Sequence, residues 1–218
     1  MRKLFLIAAS ILFFASPVKA EGFSYRLAPP HYEKLSIKAR TYDDALGAIL
    51  KNGYTPFALA TCWYRIYFEP PKFKYSVSHD KVAVELTSLS FLIPTEILLP
   101  SLDEEQLESD RDRKKWRYFS EVLKKHEDFH REILAHEKTV VLYRKVFENN
   151  RKLTFDLPRC LSLTNDAVEE LIRERLMAEI GEPTQALKGY QQRFDDLCQK
   201  SVSPFPADFN KEKFFESL

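Results

Sequence analysis

The segment KKHEDFH, residues 124–130, places His126 and His130 four positions apart, with Glu127 directly after the first histidine. On an α-helix, residues four apart differ by about 40° in direction and about 6 Å in height. Both imidazoles would then leave one face and could grip a single metal ion. Glu127 is turned about 100° from His126. That is too far to ligate beside it, but close enough to reach water bound to the ion. This is the chemistry of the H-E-x-x-H pattern: two neutral imidazoles as zinc ligands and one carboxylate that takes a proton from metal-bound water. The pattern has this meaning only on a helix. The competing reading is a charged helix whose histidines pack or pair with acids, surrounded by a solvated face of Lys124, Lys125, Asp128, Arg131 and Glu132.

A catalytic zinc usually takes three protein ligands and keeps an open position for water. His136 completes the spacing of the longer HExxHxxGxxH pattern, but that pattern needs a glycine to break the helix. Ile133 stands at that position here, within the helix-forming run REILAHEK. On a continuous helix His136 lies about 9 Å beyond His130 and about 120° away, so it reads as a surface histidine. The third ligand is then expected from another element: Glu169, Glu170 or Glu174 on the next helix, or Asp195 on the last. His31 and His79 lie near expected loops and read as ordinary surface residues.

The elements that must position these residues fall into two halves. Residues 22–100 read mainly as strands, including FALATCWYRIYF (57–68), KYSVS and KVAVELTSLSFLIP, the last three as antiparallel neighbours. One short helix interrupts them, DDALGAILKNG (43–53), with Asp43 or Asp44 as its cap and Gly53 as its stop. From Asp103 to Asn150 there is neither glycine nor proline. Trp116, Phe119, Leu123, His126, His130, Ile133, Val140 and Tyr143 or Arg144 recur at helical spacing. This predicts one long helix over 112–149 with the two histidines facing inward. A second helix follows over 164–181, capped by Thr164 or Asn165, then a third over 183–200. Residues 201–210 read as loop and the tail as polar. The fold class is therefore α+β: N-terminal antiparallel strands with one short helix, then a long HExxH helix and two further helices. With no linker in sight, residues 21–218 form one domain, strand-rich over 22–100 and helical over 103–200.

The first twenty residues have a basic start, a short apolar run and small residues at Val18 and Ala20. They read as a signal peptide cleaved after Ala20, which places the protein in the periplasm or outside the cell. The apolar run is too short for a comfortable span of roughly 20 residues, so no membrane span is expected in the mature chain. Loss of Arg2, Lys3 and Lys19 leaves 30 basic against 32 acidic residues, a balance that gives no reason to expect nucleic acid as a partner. Export favours disulfides. Of Cys62, Cys160 and Cys198, the pair in the helical half, Cys160 and Cys198, is the expected bridge, with three buried free thiols as the alternative.

The order of these features resembles the bacterial family catalogued as domain of unknown function 922, described as secreted zinc-dependent proteases. The matching parts are a leader, strands around ATCWYRIYF, a strand ending in ILLP, a tryptophan near WRYFSEVL, KKHEDFH, then Cys160 and a helix. Gln191-Gln192-Arg193-Phe194-Asp195 fits a downstream Q-x-x-Y-D segment, with Phe194 where tyrosine is usual. The family continues with T-x-H-G, where this chain has Cys198, Lys200 and Ser201, and often has glycine where this chain has Phe129. The resemblance implies a zincin-like domain. A protonated lysine cannot replace a histidine ligand, so Asp195 becomes the expected third ligand beside His126 and His130.

Two functions follow as expectations. One is a secreted or periplasmic zinc-dependent metallohydrolase, a peptidase with Glu127 as general base, acting on a peptide or protein substrate that could pair with a strand edge near residues 82–93. The alternative is a catalytically inactive envelope protein of the same fold that serves as a binding or metal-binding module.

Overall fold

A computed structural model describes residues 18–52, 60–156, 163–199, 205–206 and 208–218. In chain order the elements are β1 (Val18–Ala20), β2 (Phe23–Leu27), β3 (His31–Ile37), α1 (Tyr42–Asn52), β4 (Thr61–Tyr64), β5 (Tyr67–Phe68), β6 (Lys72–Ser78), β7 (Lys81–Ile93), β8 (Thr95–Leu102), α2 (Asp110–Ala135), α3 (Glu137–Asn149), β9 (Lys152–Asp156), α4 (Asn165–Glu179), α5 (Gly181–Gln199) and α6 (Lys211–Glu216). The class is α+β.

The strand-rich half is organised by β7. Val82, Val84 and Leu86 are buried while Lys81, Ala83 and Glu85 are exposed, the period of two that a half-buried strand requires. β6 and β5 pair antiparallel with it, as does β9. β2 pairs with its second half in parallel, Phe23 opposite Leu89 to Leu27 opposite Ile93. Ladder partners flank β7 on both sides over residues 82–85 and 91–92, so these stretches of the segment expected to receive a peptide offer no open edge. Only Pro94 separates β7 from β8. A proline cannot donate to the ladder, and the chain turns there into a second sheet of order β3-β8-β4. β3 is parallel to β8, and β4 antiparallel. The two parallel pairings extend the antiparallel pattern expected from sequence. Each joins strands far apart in the chain, and parallel pairing requires such a crossover.

Two apolar clusters hold the layers. One joins α1, β3 and the first half of α2 through Ala45, Ile49, Ile37, Trp116, Phe119 and Leu123. The larger packs the β7 sheet against the second half of α2 and helices α3 to α6. α2 opens at Ser109, whose Oγ accepts from Asp112 N at 3.0 Å, with Asp110 and Asp112 in the first turn. Such a cap satisfies a free amide and places acids on the positive end of the helix. At α1 the cap is Thr41, which accepts from Asp44 N, rather than Asp43 or Asp44 themselves. Thr164 caps α4, accepting from Ala167 N.

The stretch expected as one helix over 112–149 is bent. His136 has φ −67° and ψ 146°, an extended conformation that ends α2 and starts α3. No glycine or proline causes the break. It is stabilised by partners for the carbonyls it disturbs: Thr139 Oγ1 donates to Ile133 O at 2.7 Å and Tyr25 Oη donates to Leu134 O at 3.0 Å, both buried. The His136 ring also stacks on Phe215 at 3.7 Å with 3° between planes. Removing a donor to a buried carbonyl costs about 1–3 kcal/mol. Tyr25→Phe is therefore expected to lower the melting temperature by roughly 2–4 °C per kcal/mol, as thermal denaturation would read. A melting temperature equal to wild type would remove Tyr25 from the bend.

Further differences from the sequence reading lie in the helical half. It contains β9, and the tail expected to be polar forms α6, which buries Phe214 and Phe215. β1 lies inside the expected leader and, among the described residues, pairs with β2. Among the described residues, no helix is long and apolar enough to cross a membrane.

Candidate metal centre

α2 and α5 meet at the level of the HEDFH segment. His126 and His130 leave α2 on one face, as their spacing requires, and Asp195 comes from α5. The three donor atoms surround one point. His126 Nε2 and His130 Nε2 are 3.0 Å apart. Asp195 Oδ1 lies 3.3 Å from the first and 3.0 Å from the second. A tetrahedral zinc with bonds of about 2.0–2.1 Å sets its ligand atoms about 3.3 Å apart. The separations, and the mixture of two imidazole nitrogens with one carboxylate oxygen, therefore fit such an ion. Among the described residues, this is the group of histidine, cysteine and acidic side chains able to hold a metal ion.

The histidine side chains are 14% and 11% exposed and that of Asp195 is 34% exposed, so the centre is sheltered on the imidazole side and open beside the carboxylate. Phe194 forms the apolar wall, its ring centre 4.8 Å from that of His126 and 5.1 Å from that of His130. Burial pushes the Asp195 carboxyl up, but in the metal-free site hydrogen bonds and charge from His126 and His130, when those rings are protonated, outweigh it and hold it well below the usual carboxylate range. It is therefore ionised, the form a metal ligand needs.

Glu127, whose charge acts on Cys62 of β4 and on Cys198 of α5, is only 3% exposed. Burial pushes its carboxyl up, His126 pulls it down, Asp195 and Asp128 push it up again, and the balance stands at about 7. A carboxyl with a folded value above its unfolded one favours the fold while neutral at low pH. That contribution is lost as pH rises through the folded value. In metal-free protein, stability is expected to fall from about pH 4.5 to above pH 7 by on the order of 2–3 kcal/mol through this group. Glu127→Gln should remove the fall. Denaturant melts of chelator-treated protein across that window check this, and parallel profiles for the two proteins would contradict it.

The other sequence candidates lie elsewhere. His136 is held against Phe215 and is outside the group. Glu169 and Glu170 pair with Arg173, and Glu174 is exposed. His31 is exposed beside Glu33, and His79 occupies a turn with φ 54°. Cys62, on β4, has its thiol pushed up to about 12 by burial and by Glu127, which disfavours the thiolate that metal binding requires. Cys160 lies outside the described residues, and with it the expected bridge to Cys198.

Sequence reading named Gln191 only within the Q-x-x-Y-D match and gave it no role at the site; it touches His130 from α5. Its position one turn before Asp195 was the available signal, since residues four apart share a helix face. Comparison with family models, with curated proteins and with solved structures finds no match.

Proposed function

We propose that the protein is a secreted or periplasmic zinc-dependent hydrolase of the peptidase class. His126, His130 and Asp195 hold the ion and Glu127 is the general base. The observation that carries this reading is the convergence of the three donors within 3.3 Å of one another, with a buried carboxylate directly after the first histidine. When bound, zinc supplies a Lewis acid for the substrate carbonyl and acidifies water towards a pKa of about 7.

The chain's own residues do the rest. Glu127 accepts a proton from the attacking water and returns it to the leaving amine nitrogen. Glu127 is 3% exposed, so the proton it takes up is kept from bulk water between the two transfers. Asp195 adds a negative charge that helps hold a divalent cation. Phe194 keeps solvent from one side of the imidazoles, which strengthens the electrostatic interactions there. The apolar, basic-flanked first twenty residues support export.

One observation favours the second reading, a metal-binding envelope protein without catalysis: Glu127 is almost wholly shielded. Metal analysis and hydrolysis assays of purified protein separate the two. The peptidase reading expects about one zinc per chain and cleavage of an unfolded protein substrate that chelation stops and zinc restores. Bound zinc without cleavage selects the second reading. No bound zinc at neutral pH removes both.

A further inference from the structure

Gln191 makes two contacts with one residue across the α2–α5 junction. Its Nε2 donates to the main-chain oxygen of His130 at 3.1 Å, and its Oε1 meets His130 Nδ1 at 2.5 Å. We propose that Gln191 is a positioning residue that locks His130 as the Nδ1–H tautomer and so keeps Nε2 free to bind the metal. The proposal rests on the metal-centre reading above.

The argument follows from donors and acceptors alone. A carbonyl oxygen only accepts, so the amide must turn its NH2 end towards the His130 main chain. That leaves Oε1, an acceptor, facing Nδ1. Nδ1 therefore carries the hydrogen. A neutral imidazole has one N–H, so Nε2 keeps its lone pair. Nε2 is the atom 3.0 Å from both Asp195 Oδ1 and His126 Nε2. A lone pair aimed at a carboxylate oxygen is repelled by it, and a cation between them removes the repulsion. The clamp thus biases the centre towards holding a positive ion. Reversing the amide would set oxygen against oxygen at the main chain and nitrogen against the hydrogen at Nδ1, so the two contacts reinforce one orientation.

The clamp also couples two ligands. Gln191 precedes Asp195 by one turn of α5, so the register that brings the carboxylate to the imidazoles also brings the amide to Nδ1. A partner on the distal nitrogen of a metal-binding histidine sets its tautomer and ring orientation, and its loss typically costs 10- to 100-fold in metal affinity.

Two measurements test this. The first is a long-range proton–nitrogen NMR spectrum of metal-free wild-type protein in mildly alkaline solution. It is expected to show His130 protonated at Nδ1, and an Nε2–H tautomer would overturn the proposal without any variant. The second is zinc affinity, by chelator competition, of wild type, Gln191→Leu and Gln191→Glu. The leucine variant is expected to bind zinc about 10- to 100-fold more weakly. The glutamate variant keeps an oxygen for Nδ1–H and should bind distinctly more tightly than the leucine variant. Equal losses in the two variants would mean that the position acts by packing alone, and a leucine variant that binds like wild type would mean that it does not act; either result overturns the clamp. If wild-type protein binds no zinc, the metal reading fails and the tautomer spectrum alone decides the clamp.

Discussion

Glu127→Gln is expected to lower the rate of hydrolysis of an unfolded protein substrate by about 10²- to 10⁴-fold, the usual contribution of a positioned general base. Zinc content should stay at the wild-type level. Glutamine matches glutamate in size and shape, and Glu127 is not among the three donors that surround the metal position. The substitution therefore removes the capacity to take up a proton and little else. The site makes this a sharp test because the residue is 3% exposed. Bulk water has poor access to substitute for the missing base, and the side chain has no surface in which to swing away. Activity equal to wild type would remove Glu127 from the reaction. Loss of zinc along with activity would assign it a structural role at the metal instead.

Phe194→Ala is expected to produce the largest loss of stability. Phe194 is fully buried. Its ring meets Phe129 at 4.5 Å, Phe209 at 5.5 Å, Phe205 at 5.9 Å and Phe214 at 6.0 Å, besides both metal-site histidines. Truncating a buried phenylalanine typically costs about 3–5 kcal/mol, from lost transfer energy and from the cavity left behind. For a chain of this size that corresponds to a melting temperature lower by roughly 10 °C or more. Zinc affinity should fall as well, because Phe194 directly precedes Asp195 and its ring fixes the register of α5 on α2. Phe194→Leu refills part of the space and should recover much of both quantities. If Phe194→Ala retains wild-type zinc affinity, the carboxylate is held by the rest of α5 and not by this ring.

This aromatic packing bears on how much of the molecule could be read from its residues. The α+β class was legible: period-two alternation marks β7, and helical spacing marks α2 from Trp116 through Ile133, because each pattern repeats within a few residues of itself. The bend at His136 was not legible. Its local sequence favours a continuous helix, and besides Thr139 the groups that compensate it are Tyr25 and Phe215, 109 residues upstream of Leu134 in one case and near the C-terminus in the other. The parallel pairings of β2 and β3 were hidden for the same reason, since a strand's pattern shows which face it buries but not which neighbour it joins. The tail read as polar because its charges dominate the count. Phe214 and Phe215 become core residues only when Phe129 and Phe194 are brought beneath them.

At the candidate centre the division is equally physical. Spacing alone determined that His126 and His130 share a direction and that Glu127 stands to one side, because helix geometry converts sequence separation directly into angle. Spacing left Asp195 as one acid among several on later helices, and only the resemblance to a Q-x-x-Y-D segment singled it out. Tertiary packing decided which acid meets the imidazoles, and it also delivered Gln191 to the far side of His130. Both depend on the register of α5 against α2, which apolar side chains between the two helices set. No local rule within either helix contains that register.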